Sequence, residues 1–267
     1  MNKFYIQIAF FLLSVSVYLN NRTLAAEPGP GKSAKTKSKN SYATSEEIYE
    51  KNKHLLCTNP EEIKNAEELM NEAVTHLERH ATSKDGYKYV TDHFLKNIFY
   101  YKKGDQDHPT VEKAIYVKRD ANKYNKTINK YWDPDIINVF DNKSVKKKIT
   151  RVYNPNLVMI QRRYKKGLFG SYKYFYALAK KTQISEDKTI IVMTSANIND
   201  HHPSKTEYKN TIIENANLFK TDIDSEDDIR KGELEKKFLN IAGYLIEKKE
   251  KCIHITYIKS IDEHGLI

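Results

Sequence analysis

Cysteine is scarce in this chain of 267 residues: Cys57 and Cys252 are the only two, so at most one bridge can form and a disulfide-stapled scaffold is excluded. A four-cysteine zinc site is excluded with it, and a finger-type site lacks its closely spaced cysteine pair. Nine glycines and seven prolines rule out a collagen-like repeat. Long apolar runs are absent beyond the first twenty residues, which excludes a multi-pass membrane protein. No Gly-x-x-x-x-Gly-Lys-Ser/Thr loop, Gly-x-Gly-x-x-Gly or Gly-x-Ser-x-Gly occurs, so nucleotide-binding and serine-hydrolase readings have no sequence anchor.

What the chain does have is positive charge. Forty-five Lys and Arg against 35 Asp and Glu give a formal +10, which biases the surface toward anionic partners. Lys3 followed by the apolar run from Phe4 to Leu19, then by small Ala25 and Ala26, reads as a secretory signal over residues 1–26. Its removal takes Lys3 and Arg22 and no acid, and lowers the charge only from +10 to +8. Residues 27–44 begin as Glu-Pro-Gly-Pro-Gly-Lys and continue rich in Ser and Lys, which predicts a flexible basic linker. One folded domain is expected over 45–267.

Within that domain Ile63, Ala66, Met70, Ala73, Val74 and Leu77 recur at helical spacing after Asn59-Pro60, predicting a helix over 61–81. A shorter helix is expected over 45–56. Runs around 98–101 and 111–117 predict a hairpin, and Asp120 caps a helix carrying Tyr124, Ile128 and Tyr131 that stops at Trp132-Asp133-Pro134. Another apolar stretch starts at Ile136. Strands are expected over 149–153, 157–164, 172–179, 189–196, 211–219, 241–246 and 252–258. Short strands without long helices between them imply an antiparallel sheet, and with the N-terminal helices an α+β domain.

Candidate chemistry is thin. His76 and His80 share a helix face, and His201-His202 follow Asp200, but neither pair has a metal motif around it, and buried or turn-bound histidine is the favoured reading. No metal, cofactor or catalytic residue is assigned. Asn125-Lys126-Thr127 and Asn142-Lys143-Ser144 fit the glycan-acceptor pattern. Lys146-Lys147-Lys148, Arg162-Arg163 and Lys165-Lys166 form basic clusters beside tyrosines, read as a solvated sheet rim rather than a nucleic-acid surface because no nucleic-acid module fits. Among 19 tyrosines, Tyr172, Tyr174 and Tyr176 alternate and so share one face, either core or cavity lining.

Val111-Glu112-Lys113-Ala114 leading to Trp132-Asp133, the strand from Tyr172 to Lys181, and Lys251 to Tyr257 closing with Asp262-x-x-Gly265 resemble, in order and spacing, the StAR-related lipid transfer (START) family. The chain is also similar to the fam-a proteins of malaria parasites, which are START-like, and Arg22-x-Leu24 with Glu27 one place late resembles the parasites' export element. The resemblance implies a helix-grip fold whose curved antiparallel sheet encloses one lipid. It implies binding and intermembrane transfer of a phospholipid, phosphatidylcholine above all, with no enzymatic activity and no nucleic-acid partner. It also implies a monomer that meets membrane surfaces and is secreted, or exported into the host erythrocyte or parasitophorous vacuole. Carried over by residue, Trp132 and Asp133 organise the headgroup end, and Tyr174, with Tyr176 beside it, falls at a choline-cage position. Ile160 and Phe219 fall near the other two cage positions, and Arg162 is a source of positive charge for the phosphate, as is Arg151. Two departures accompany this: Ile160 has no π-face, and Asn129 stands where the family's phosphatidylcholine binders carry an arginine. The family continues past a C-terminal proline into a lid helix, whereas this sequence stops at Gly265-Leu266-Ile267, so the expectation is a C-terminally truncated domain lacking that helix. The rival reading is a basic membrane- or protein-interaction module with no lipid cargo, or a truncated family member without function.

Overall fold

The structure is a computed structural model and describes residues 42–93, 97–104, 109–134, 146–165, 170–204 and 208–262. The signal segment 1–26, the linker up to residue 41, the apolar stretch from Ile136, the second glycan pattern at Asn142, Lys166 and the chain end at 263–267 lie outside the described residues.

Helix α1 (Ser45–Lys51) starts with a capping box: Thr44 Oγ1 accepts from the Glu47 amide and Glu47 accepts from the Thr44 amide. A single 3-10 turn at Lys53–Leu55 ends the expected 45–56 helix early. Helix α2 (Pro60–Thr82) carries Asn59 as its cap, bonded to the amides of Glu61 and Glu62, with Pro60 in the first turn where its missing N–H costs nothing. Its apolar stripe, Ala66, Leu69, Met70, Ala73, Val74, Leu77 and Ala81, is buried.

Strands β1 (Lys88–His93), β2 (Ile98–Lys103) and β3 (Val111–Arg119) form an antiparallel meander. Asp120 then takes a left-handed conformation, φ 78°, and its carboxylate accepts from the Asn122 amide before α3 (Tyr124–Trp132) begins. Strands β4 (Lys146–Asn154), β5 (Leu157–Lys165), β6 (Tyr172–Ser185) and β7 (Lys188–Thr194) make a second meander. Short β8 (Asn197–Asn199) pairs in parallel with β9 (Lys220–Asp222), flanked by α4 (Asn215–Leu218) and α5 (Asp227–Arg230), and two-residue β10 (Glu235–Lys236) runs parallel to the start of β6. The long hairpin of β11 (Phe238–Lys248) and β12 (Cys252–Asp262) completes a sheet in the order β1-β2-β3-β12-β11-β7-β6-β5-β4. This is an α+β fold built on a large antiparallel sheet.

One expected strand is corrected. Residues 211–219 form α4 and a turn, because Asn210 Oδ1 takes the amides of Ile212 and Ile213, and Glu72 of α2 takes those of Glu214 and Asn215. Side-chain acceptors that satisfy successive amides leave no sheet ladder to form.

The sheet buries both faces, and side chains alternate between them along each strand. On β6, Tyr174, Tyr176 and Leu178 join α2, whereas Phe175, Ala177 and Ala179 face the side of α3. On β7 and β11, Ile190, Val192, Ile241 and Leu245 meet α2, and Ile191, Tyr244 and Ile246 meet the α3 side. Gly243 lets α2 approach: a Cβ there would lie 2.0 Å from the Ile191 carbonyl oxygen and 2.7 Å from Leu77 Cδ1. Among the described residues no helix is long and apolar enough to cross a membrane.

Candidate functional site

The α3 face of the sheet holds an apolar cavity of about 40 Å³, lined chiefly by Ile48, Tyr131, Trp132, Ile160, Tyr244 and Tyr257. Helix α3 supplies one wall because its buried stripe of Tyr124, Ile128, Tyr131 and Trp132 falls at helical spacing. Tyr124 is held to the sheet by a 3.0 Å bond between its hydroxyl and Thr189 Oγ1, and Tyr131 by a hydroxyl–hydroxyl bond with Tyr116. Burial raises the Tyr131 phenol's pKa, so it stays protonated and able to donate at any physiological pH. Tyr131, Tyr244 and Tyr257 stack in sequence, with ring centroids 4.4 and 4.9 Å apart.

One end of the cavity is polar. Lys147 of β4 and Arg162 of β5 are register partners, both line the cavity, and Asp133 and Pro134 at the end of α3 line it too. Asp133 is 8% exposed and its Oδ2 accepts the Ala43 amide at 3.2 Å, which pins the entry to α1 onto the end of α3. Arg162 also lies 5.9 Å from the Phe175 ring. Arg151 does not reach this end: it points to the other face and bonds Glu62 at 2.7 Å and the Asp222 carbonyl at 2.8 Å.

Of the seven expected site residues, four come together here: Trp132, Asp133, Ile160 and Arg162. Tyr174, Tyr176 and Phe219 do not, because strand alternation and the turn before β9 send them into the α2-side core, where they are 0%, 4% and 2% exposed. Tyr174 donates to Asp200 Oδ2 at 2.9 Å, and Asp200 also receives Lys236 at 2.6 Å. Tyr176 takes the Gln161 side-chain amide at 2.6 Å, and burial pushes its pKa up to about 12. A cage built from Tyr174, Tyr176 and Phe219 together with Ile160 would have to straddle the sheet. The sequence reading missed Lys147, Tyr131, Tyr244 and Tyr257. The signal for the last two is their β-strand parity, since Tyr244 and Tyr257 are direct cross-strand partners.

The histidine candidates have other work. His80 Nδ1 meets the Tyr87 hydroxyl at 2.9 Å, His201 Nε2 meets Asp222 at 3.1 Å, and His202 Nε2 meets the Leu234 carbonyl at 3.1 Å. Among the described residues no group of three or more His, Cys, Asp or Glu side chains could hold a metal ion. Cys57 and Cys252 are partly buried and not joined to each other. In the basic clusters, Lys148 pairs with Glu226, and Arg163 pairs with Glu226 at 2.8 Å and with Asp228, holding the Asp228 carboxyl below its ordinary range.

No protein-family model and no curated protein matches the chain. Solved structures do match. Human StAR-related lipid transfer protein 5 aligns with a TM-score of 0.52 at 10% identity, covering 76% of this chain and 85% of that one. Human STARD10 gives 0.47 at 12% identity over 73% and 68% of the two chains, and the lipid transfer and protein localization domain of human StarD13 gives 0.42 at 13% identity over 73% and 84%. At such identities the likeness is one of fold, and the fold is START-like.

Proposed function

We propose that this START-like domain binds one phospholipid on the α3 face of its sheet and transfers it between membranes without covalent chemistry. The observation that carries the reading is the apolar cavity walled by Trp132, Ile160 and the Tyr131-Tyr244-Tyr257 stack, with Lys147 and Arg162 side by side at its polar end. Two cations suit a phosphodiester, and an indole with three phenols offers π-faces to a quaternary ammonium, which favours phosphatidylcholine. Asp133 holds the entry of α1 at that end. Two acyl chains of roughly sixteen carbons are worth on the order of 25 kcal/mol out of water, at about 0.8 kcal/mol per CH2, so cargo needs a closed apolar sleeve. A cavity of 40 Å³ is far below the roughly 300–1,000 Å³ that enclose even drug-sized ligands. Uptake therefore requires the α1–α3 wall to move off the sheet. Secretion, export into the host erythrocyte or parasitophorous vacuole, and a monomeric state belong to the same reading.

Native mass spectrometry of the full chain from a lipid-containing host, beside transfer of labelled phosphatidylcholine between vesicles, tests it. A one-to-one phospholipid adduct is expected, with transfer falling about tenfold in Arg162→Ala. No adduct and no transfer would leave the second reading, a basic membrane- or protein-interaction module without cargo. That reading is favoured by the small cavity volume, and it predicts membrane association that collapses as salt rises.

A further inference from the structure

A second, polar pocket of about 280 Å³ lies between α1, α3 and β6. Lys181 of β6 lines it together with Ser45, Glu46, Asn125, Asn129 and Gln183. The Lys181 ammonium lies 5.9 Å from the Trp132 ring, and among the described residues nothing accepts a hydrogen bond from it. A half-buried ammonium with three N–H donors to place and three side-chain amides line the pocket, a set of donors that suits a multiply accepting anion. Burial holds the Lys181 pKa below its ordinary value, and the nearby Glu46 carboxylate pulls it the other way. Among the described residues Glu46 is the one acid lining the pocket, and it competes with any anion for Lys181.

We infer that this pocket binds a phosphate group, with Lys181 as its cation and the side-chain amides of Asn125, Asn129 and Gln183 as its neutral donors. Phosphate is preferred to carboxylate because its oxygens can engage the ammonium and several amides at once. The inference stands whether or not the apolar cavity carries cargo.

The chain has one tryptophan, and the Lys181 ammonium lies 5.9 Å from its ring, so Trp132 emission responds to an anion on Lys181. Because Trp132 also walls the apolar cavity, only the part of the response that depends on Lys181 is counted. The full chain is titrated with inorganic phosphate, with glycerol 3-phosphate, with acetate, and with vesicles containing phosphatidic acid. A saturable change with either soluble phosphate at roughly millimolar concentration supports a site for a free phosphate. A change with phosphatidic acid vesicles alone that is lost in Lys181→Met supports the same site serving a lipid headgroup, whereas one that survives in Lys181→Met comes from the apolar cavity and counts against the inference. In both cases Lys181→Met should weaken the response about tenfold, while Glu46→Gln should tighten it several-fold by removing the competing carboxylate. If Lys181→Met fails to fold, Lys181→Gln and the Glu46→Gln arm carry the test. No saturable change with any phosphate, an equal response to acetate, or responses indifferent to both substitutions would overturn the inference.

Discussion

A single methyl group decides whether α2 can sit on the sheet. Gly243 has φ 154°, and its missing Cβ is the space in which the Ile191 carbonyl and Leu77 meet. Gly243→Ala should cost about 3 kcal/mol or prevent folding, read from the chemical-denaturation midpoint. The tyrosines of β6 make the opposite point. Their alternation was legible in the sequence, but which of the sheet's two faces received them was not, because both faces are buried and both take aromatics. Tyr174→Phe should therefore cost about 1–2 kcal/mol of stability, since it deprives Asp200 of a donor, and should leave phosphatidylcholine binding unchanged. A loss of binding at unchanged stability would put Tyr174 back in the site. His80 gives the pH behaviour. Burial first, then Arg79 and other cations, lowers its pKa from 6.5 to about 4, so the unfolded chain takes up the proton more readily. Stability is whole above about pH 6.5 and declines as pH falls toward 4, by about 2 kcal/mol after allowance for partial exposure. Thermal melts of the wild type against His80→Gln across that window should show the slope flatten in the variant.

Elements with a strong period of their own were the readable ones. Helix α2, the β2–β3 hairpin, the β4–β7 meander and the final hairpin were all legible from apolar spacing and turn residues. Strand β1 was not, since every residue from Lys88 to His93 is exposed at the sheet edge and no burial pattern is written into it. The 211–219 segment was misread because its apolar residues, Ile213, Ala216 and Phe219, are buried against α2 by side-chain caps rather than by a ladder. Residues 197–204 and 208–236 are fastened to the sheet by polar pairs: Tyr174 of β6 on Asp200, and Glu226 and Asp228 on Arg163 of β5. Arg163→Ala should free α5 before the rest of the fold. Hydrogen exchange at residues 226–230 should accelerate while exchange in β11 and β12 stays at its global rate.

At the scale of the molecule, the site consists of what α3 and the sheet enclose between them, so it could be anticipated only as far as the fold could. Trp132 and Asp133 were named through the resemblance alone, and the end of α3 is what brings them to the cavity. Lys147 and Arg162 needed the β4–β5 register to become neighbours. The same sheet order places β12 between β3 and β11, so among the described residues strand pairing links the first meander to the second only through residues 238–262. A chain ending at residue 250 should show no cooperative unfolding transition, because β3 and β11 would each present an open edge.

That placement also sets a timetable. A ribosome delivers β1–β3 and β4–β7 long before β12, and for all that time two aromatic-rich half-sheets exist with no strand to join them. The protein is thus most vulnerable while it is being made. A holding chaperone on the nascent chain, or delivery of the chain unfolded across a membrane, would suit this topology better than folding in step with synthesis.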